Sequence, residues 1–190
     1  MLNIYIIAGC NGAGKTTASF TVLPEMLDCK EFVNADEIAR GLSPFQPESV
    51  SFHAGRIMLE RINELLDSKV DFAFETTLTT LSYKNTIKLA RKKGYKITLL
   101  FFWLNDVNLA IERVKTRVSE GGHNIPEEVI IRRYNKGLQN LTKFFIDICD
   151  YWIVIDNSNT PYKFIAEGSI DDETKIYDNT IWELIKSRKL

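Results

Sequence analysis

Residues 9–16 read Gly-Cys-Asn-Gly-Ala-Gly-Lys-Thr, and the apolar run Ile4 to Ala8 directly precedes them. The octapeptide fits the pattern Gly, four residues, Gly, Lys, then Ser or Thr. In this pattern the glycines allow a tight turn whose backbone N–H groups converge, and the helix that follows adds the positive end of its dipole. Because the match lies between a predicted strand and a predicted helix, it predicts a phosphate-binding loop, or P-loop.

The side chains of this loop indicate a nucleoside triphosphate with magnesium. Lys15 is expected to reach the β and γ phosphates, and the Thr16 hydroxyl is expected to bind a Mg²⁺ ion that bridges them. The predicted cofactors are therefore ATP or GTP, and Mg²⁺. A dinucleotide site is disfavoured because position 17 is not Gly or Ala. The residues predicted to bind the nucleotide are Gly9, Asn11, Gly12, Ala13, Gly14, Lys15, Thr16 and Thr17.

Outward from the loop, apolar runs alternate with segments of helical spacing. Five runs rich in branched or aromatic residues predict buried parallel strands. They are Ile4 to Ala8, Glu31 to Asn34, Asp71 to Glu75, Lys96 to Leu104 and Tyr151 to Asp156. Segments between them, such as residues 54–66, place apolar side chains every three or four positions, as amphipathic helices do. The alternation predicts an α/β protein with a P-loop NTPase fold, in which a five-stranded, mainly parallel sheet is flanked by helices.

The end of the chain departs from this alternation. Phe164 to Ala166 and Thr174 to Tyr177 flank a polar stretch and predict an antiparallel hairpin at the sheet edge. A closing helix is expected from about Thr180 to Arg188. Without repeats or a linker-like tract, residues 1–190 are predicted to form a single kinase-type domain.

Capping residues support several helix ends. Ser82 is expected to begin a helix that runs to Lys93 and that Gly94 terminates. Asp106 is expected to cap the next helix, and Pro126 suits the first turn of the one after.

Composition excludes several classes of protein. Lys and Arg number 24 against 25 Asp and Glu, so the net charge of −1 argues against a nucleic-acid partner. Three cysteines without metal-type spacing favour a reducing, cytoplasmic compartment. The longest apolar run, Ile97 to Leu104, is far shorter than the roughly 20 residues of a membrane-spanning helix. We therefore expect no membrane association and no secretory signal.

The acceptor side of the site should lie at the carboxyl ends of the strands, where open α/β sheets bind ligands. That edge collects Gly9, Asp36 and Glu75. The Asp36 carboxylate is predicted to accept the proton of a substrate hydroxyl as it attacks phosphorus. A helix cap is the alternative role for Asp36, because Asp commonly begins a helix. The Glu75 carboxylate is predicted to orient a magnesium-bound water or to bind substrate hydroxyls.

Residues from about 106 to 133 are predicted to form a helical lid. Arg113 and Arg117 are four residues apart and share a helix face, where their repulsion vanishes if a bound phosphate lies between them. Gly121 and Gly122 would allow the lid to move. A solvated helix face is the alternative reading of the two arginines.

Three further side chains of this segment are candidates for ligand contacts. Arg132 and Arg133 lie in the next predicted helix and could replace the lid arginines at the phosphate. His123, next to the two glycines, could also contact the ligand.

Together these motifs resemble those of the zeta toxin family of P-loop kinases. The resemblance covers about residues 4–156 and rests on four elements: Gly-Ala-Gly-Lys-Thr-Thr at 12–17, Asn-Ala-Asp-Glu-Ile-Ala at 34–39, Phe-Glu-Thr-Thr at 74–77, and the paired arginines. It implies phosphorylation of a sugar hydroxyl of UDP-N-acetylglucosamine, a cell-wall precursor. The implied roles are catalytic base for Asp36, phosphate and magnesium contacts for Lys15 and Thr16, substrate contacts for Glu75 and Thr77, and lid arginines for Arg113 and Arg117.

The resemblance also raises an antitoxin protein as a partner. Family toxins meet their antitoxin through a helical extension before the first strand, whereas this sequence begins almost directly at that strand. The expectation of toxicity and antitoxin binding is accordingly weaker than that of kinase activity. The compact chain also leaves fewer segments to bind a large nucleotide-sugar, so a smaller hydroxyl compound is a further candidate acceptor.

The leading hypothesis is a kinase that phosphorylates a hydroxyl of a small metabolite. Two alternatives remain: a nucleic-acid end kinase, if basic residues cluster locally, and a binding module whose nucleotide state controls a protein partner. A predicted base and lid arginines favour the kinase, because a switch needs neither an acceptor nor the exclusion of water.

Overall fold

A seven-stranded sheet forms the centre of the protein in a computed structural model that describes residues 1–122 and 124–187. Its strands are β1 (Leu2–Gly9), β2 (Glu31–Val33), β3 (Phe72–Thr76), β4 (Tyr95–Trp103), β5 (Tyr151–Asp156), β6 (Lys163–Ser169) and β7 (Lys175–Ile176). Their order across the sheet is β2-β3-β1-β4-β5-β6-β7. The first five are parallel, whereas β6 and β7 are antiparallel additions. The predicted α/β class and the C-terminal hairpin at the sheet edge are confirmed, but the sheet has seven strands where five were predicted, because the hairpin pairs with β5 and adds β6 and β7.

Seven helices connect and flank these strands in the described part of the chain. They are α1 (Lys15–Thr21), α2 (Ala35–Leu42), α3 (Ser51–Ser68), α4 (Tyr83–Lys92), α5 (Val107–Ser119), α6 (Glu127–Asn140) and α7 (Asn179–Ser187). Single π-helical turns, Val22–Met26 and Leu141–Phe145, continue α1 and α6. The predicted closing helix corresponds to α7, and its predicted last residue, Arg188, lies outside the described residues.

Helix ends follow local chemistry, though not always as predicted. Asp106 caps α5, because its Oδ1 accepts the backbone N–H of Asn108 at 2.9 Å. Gly94 follows α4 with φ +84, the left-handed conformation that ends helices. Ser82 does precede α4, but its hydroxyl pairs with Thr80 at 3.0 Å and caps no N–H. Pro126 stands one position earlier than expected, at the N-cap of α6.

The core lies on both faces of the parallel strands, which explains their nearly continuous apolar sequences. Ile6 and Ile7 of β1, and Phe72 and Ala73 of β3, are all fully buried, and because successive side chains of a strand point to opposite faces, both faces of the sheet are covered. None of the helices among residues 1–122 and 124–187 has the length and apolar character that crossing a bilayer requires.

The sheet register brings three strand ends together. Ala8 lies opposite Thr76 in the β1–β3 pair, and Val33 lies opposite Phe74 in the β2–β3 pair. The residues that follow β1 and β2 and the last residues of β3 therefore meet at one edge of the sheet, as the sequence predicts.

Candidate active site

The P-loop wraps tightly between β1 and α1. Gly9 and Gly14 have φ of +143 and +82, and Gly14 is the N-cap of α1. A Cβ on Gly9 would lie 2.3 Å from the carbonyl oxygen of Phe102, and one on Gly14 would lie 2.4 Å from Nδ2 of Asn157. A side chain at position 9 would collide with backbone, and one at position 14 would need a strained φ and a displaced Asn157 amide, so the loop conformation favours glycine at both positions.

Glu75 holds two P-loop side chains from the neighbouring strand. The Thr16 hydroxyl donates to its Oε2 at 2.7 Å, and Nζ of Lys15 lies 3.4 Å from its Oε1. Lys15 also donates to the carbonyl of Cys10 at 2.9 Å. Lys15 and Glu75 are nearly completely buried, with side chains 5% and 9% exposed, so each charge is balanced at short range.

Asn34 joins Glu75 to the helix that carries Asp36. Its Nδ2 donates to Oε2 of Glu75 at 3.0 Å, while its Oδ1 accepts the backbone N–H of Asp36 at 2.8 Å and caps α2. The cap of α2 is therefore Asn34, which corrects the alternative role weighed for Asp36. Asp36 lies in the first turn of the helix, with its side chain left to face the cavities.

Two cavities meet at these residues. The larger, of about 750 Å³, we call the large cleft, and the smaller, of about 160 Å³, we call the side pocket. Asn11, Lys15, Asp36 and Glu75 line both. The junction between the cavities thus carries one ammonium, one amide and two carboxylates.

The large cleft collects most of the residues predicted to bind the nucleotide. Asn11, Gly12, Gly14, Lys15, Thr16 and Thr17 line it, together with Arg113 and Arg117. Gly9 and Ala13 do not. Ala13 is fully buried and packs in the hydrophobic core beneath the loop.

One wall of the side pocket is built from hydroxyl-bearing residues. Thr77, Thr79, Thr80 and Tyr83 contribute to its wall, and the Thr77 and Thr79 hydroxyls are 3.1 Å apart. This threonine segment passes through Leu78, a fully buried residue with a φ of +55. Such a backbone costs about 1 kcal/mol or more for a residue other than glycine, so the surrounding structure must impose it.

Asn140 of α6 supplies part of that constraint. It is fully buried, and its Nδ2 donates to the carbonyl of Leu78 at 2.6 Å. Gly137, one turn earlier, approaches the same segment closely, since a Cβ there would lie 2.6 Å from the carbonyl oxygen of Thr77.

Arg113 and Arg117 share a helix face, but their guanidinium groups differ in their contacts. Arg113 donates to the carbonyls of Asn157 and Ser158, both at 2.9 Å, and to that of Gly12 at 3.5 Å. In Arg117, Nε and Nη2 are buried and have no hydrogen-bond partner among the described residues. Their spacing alone suggested that the two arginines are equivalent. Their contacts show that they are not.

Gly121 and Gly122 end α5. The N–H of Gly121 donates to the carbonyl of Val118 at 3.0 Å, and the N–H of Gly122 donates to that of Arg117 at 2.7 Å. With φ +87 at Gly121, these bonds form a Schellman motif. The predicted contact of His123 lies outside the described residues.

Of Arg132 and Arg133, the candidates to replace the lid arginines, only Arg133 reaches the site. Its Nη1 donates to Oδ1 of Asn11 at 3.0 Å, and it lines the side pocket. Burial lowers the pKa of Arg133 from its ordinary value, Asp36 opposes this shift and Arg132 adds to it. Arg132 itself is exposed and lines neither cavity.

Asn34 and Asn157 are site residues to which the sequence analysis assigned no role, although Asn34 opens the Asn-Ala-Asp motif. Asn34 ends the second predicted strand, and Asn157 follows the fifth. The rule that ligands gather at the carboxyl ends of parallel strands applies to both positions, so examining every strand end would have found them.

Comparison with known proteins places the chain in a family. The zeta toxin family model matches residues 3–180. An uncharacterized protein of Haemophilus influenzae is 31% identical over 128 residues, which are 66% of this chain and 88% of the relative.

Solved structures share the fold. The AvrRxo1-ORF1:AvrRxo1-ORF2 complex matches with TM-scores of 0.80 in a structure with sulphate ions and 0.77 in one with ATP, at 16% identity in both. All of this chain is covered, and it spans 65% of the AvrRxo1 chain. The PezAT toxin-antitoxin system of Streptococcus pneumoniae matches with a TM-score of 0.65 at 16% identity, covering all of this chain and 80% of that one.

Proposed function

The chain belongs to the zeta toxin family of P-loop kinases and is a nucleotide-binding phosphotransferase, and we propose that it transfers the γ-phosphoryl group of ATP or GTP to a hydroxyl of a small metabolite. The observation that carries the proposal is the junction of the two cavities. Lys15, Asp36 and Glu75 line both the large cleft and the side pocket. A phosphate bound by the P-loop and a hydroxyl in the side pocket would meet there.

Asp36 is the proposed catalytic base. It lies at the junction. Because Asn34 caps α2, the Asp36 carboxylate is not needed as a helix cap. As the acceptor oxygen attacks the γ phosphorus and the bond to the β-phosphate oxygen breaks, the acceptor proton passes to this carboxylate. Lys15 offsets negative charge on the phosphate oxygens during transfer.

Of Arg113 and Arg117, Arg117 is the stronger candidate to contact the transferring phosphate. Its buried Nε and Nη2 lack partners in the part of the chain that the structure describes, and such donors gain most from an anionic acceptor. Arg113 lines the same cleft, but backbone carbonyls occupy its donors.

The donor set fits magnesium. The Thr16 hydroxyl and the Glu75 carboxylate are 2.7 Å apart beside the P-loop, and Mg²⁺ prefers oxygen ligands. Mg²⁺ commonly takes one or two protein oxygens and completes its shell with phosphates and water, so the small number of protein ligands is no obstacle. When bound, the ion would neutralise charge on the β and γ phosphates. These contacts favour a role for Glu75 at the magnesium ion over a role in substrate binding.

UDP-N-acetylglucosamine is the first acceptor to test, by the family resemblance. The threonine and tyrosine hydroxyls of the side pocket can pair with sugar hydroxyls. At about 160 Å³ the pocket is smaller than the ~300 Å³ at which ligand pockets usually begin. We therefore expect only the reacting sugar to enter it, and a smaller polyol is an alternative acceptor.

Phosphoryl transfer from γ-labelled ATP with Mg²⁺ tests this function. The acceptor panel contains UDP-N-acetylglucosamine, simple sugars, nucleosides and oligonucleotides, and the variants are Lys15→Ala, Asp36→Ala and the exposed control Glu60→Gln. We expect one sugar acceptor to be labelled by the wild type and the control only. Wild-type protein that binds ATP but labels no acceptor would contradict the proposal and support a nucleotide switch, whereas labelled oligonucleotide would identify an end kinase.

An antitoxin partner is part of the proposal, supported by the likeness to the PezAT system. Induced expression should arrest growth, and the Asp36→Ala variant should not. Normal growth with active kinase would remove toxicity from the proposal while leaving the enzymatic function intact.

A further inference from the structure

The side chain of Asn157 contacts the P-loop from the end of a distant strand. Asn157 follows β5, and its backbone N–H donates to the carbonyl of Trp103 at 2.9 Å, which fixes its position beside β4. Its Nδ2 donates to the carbonyl of Ala13 at 2.9 Å. The approach is so close that a Cβ on Gly14 would lie 2.4 Å from the same Nδ2.

This contact fixes the orientation of one P-loop peptide. In a trans peptide the C=O of one residue and the N–H of the next point in opposite directions. When Asn157 holds the Ala13 carbonyl, the N–H of Gly14 must therefore point away from Asn157. Because Gly14 lines the large cleft, an N–H that points away from Asn157 can reach a phosphate bound there. The preceding N–H, that of Ala13, donates within the loop to Cys10 at 3.2 Å.

Arg113 in turn holds Asn157. Its Nη1 and Nη2 donate to the carbonyls of Asn157 and Ser158, both at 2.9 Å, in the forked geometry that only a guanidinium provides. The same Nη1 lies 3.5 Å from the carbonyl of Gly12. Helix α5, the segment after β5 and the P-loop are thus joined through one side chain.

We propose that Asn157, held by Arg113, is a positioning residue that aims the Gly14 N–H at the phosphates of the nucleotide. The proposal rests on the proposed function, because it requires a phosphate chain in the large cleft. It assigns Arg113 to the support of the P-loop and not to the transferring phosphate. Since the effect acts on phosphate, it does not depend on the base or the ribose of the nucleotide.

Binding measurements on Asn157→Ala test the inference. Dissociation constants for ATP, ADP and inorganic pyrophosphate are measured by displacement of a fluorescent ATP analogue, with Mg²⁺ present. We expect all three constants to rise by about tenfold, the equivalent of about 1.4 kcal/mol. The exposed neighbour Asn159 provides the matched control, and Asn159→Ala should bind all three ligands as the wild type does. In turnover the KM for ATP should rise about tenfold, while kcat changes less than twofold.

Each result decides between specific explanations. Weaker ATP binding with unchanged pyrophosphate binding would place Asn157 at the base or ribose and would overturn the proposal, as would unchanged binding of all three. A wild-type protein that binds none of them would instead contradict the proposed function. If Asn157→Ala does not fold, Asn157→Leu, which keeps the approximate volume and lacks the donor, takes its place.

A double-mutant cycle tests the link to Arg113. If Arg113 acts through Asn157, Arg113→Lys should weaken pyrophosphate binding in the wild type and have little further effect in Asn157→Ala. Additive losses would show that Arg113 acts on phosphate independently and would overturn this part of the inference.

Discussion

Asn34 donates to Glu75 through its amide nitrogen and caps Asp36 through its amide oxygen, at 3.0 and 2.8 Å. One buried side chain therefore fixes the distance between the proposed base and the carboxylate that holds Thr16. A carboxylate in place of the amide could make only one of the two contacts.

Asn34→Asp should reduce activity without a comparable loss of stability. The variant retains an oxygen to cap α2, but it loses the donor to Glu75 and places a second carboxylate beside it. We expect kcat/KM to fall about ten- to hundredfold, the usual range for a residue that orients ligating groups. Steady-state kinetics and thermal melting measure the two effects. Wild-type kinetics in Asn34→Asp would contradict this role, whereas Asn34→Ala should also lose about 1 kcal/mol of stability with the cap.

Arg117→Met should stabilise the protein and inactivate it. Burying donors without partners costs about 1–3 kcal/mol, and the methionine removes that cost while filling similar space. We expect the free energy of unfolding in urea to rise by about 1 kcal/mol and kcat to fall by roughly 10³-fold, as for other arginines that stabilise a transferring phosphoryl group. Arg132→Met, at an exposed position of α6, is the matched control and should change neither. A destabilised Arg117→Met variant would show that the arginine is satisfied in the folded protein.

The fold followed from the sequence because its signals are local. Apolar runs such as Ile4 to Ala8 and the glycines of the P-loop dictate their own conformation, and the carboxyl-end rule then places Asp36 and Glu75 at one edge. The hairpin after β5 was also predicted, but not its pairing with β5, since a sequence pattern gives a strand's period and not its neighbour.

The contacts of the site were less predictable because they join distant segments. Helical spacing places Arg113 and Arg117 on one face, yet the carbonyls that Arg113 binds belong to a loop 44 and 45 residues away. Likewise, two successive glycines suggested lid movement at 121 and 122, but their sequence did not predict the hydrogen bonds by which they end α5.

Asn140→Ala should weaken acceptor binding more than nucleotide binding. The variant removes the donor to the Leu78 carbonyl and frees the strained segment that lines the side pocket. We expect the KM for the acceptor to rise about tenfold and the KM for ATP to change less than twofold. Stability should fall by only about 1 kcal/mol, because the change also removes the buried Oδ1 of Asn140, which has no partner among the described residues. Ile185→Ala, in the distant helix α7, is the control for destabilisation and should leave both KM values unchanged. Equal changes in the two KM values would show that Asn140 supports the fold in general.

Stability should fall steeply in alkaline solution because buried thiols resist ionisation. Burial raises the pKa of Cys10 to about 11 and that of Cys149 to about 12, from an ordinary value of 9.0. A pKa that is higher in the folded state contributes stability that is complete below pH 9 and is lost as the pH rises toward the folded value, because only the unfolded chain ionises in that window.

Cys149→Ala isolates this effect. One buried thiol contributes about 1.4 kcal/mol of the loss one pH unit above its unfolded pKa. The drop in the free energy of urea unfolding from pH 8 to pH 10 should therefore be about 1.4 kcal/mol smaller in the variant, although the variant is less stable at both pH values because of the cavity it creates. Other groups that titrate in this range are present in both proteins and cancel in the comparison. An identical drop in the two proteins would mean that Cys149 ionises as readily in the folded state as in the unfolded chain.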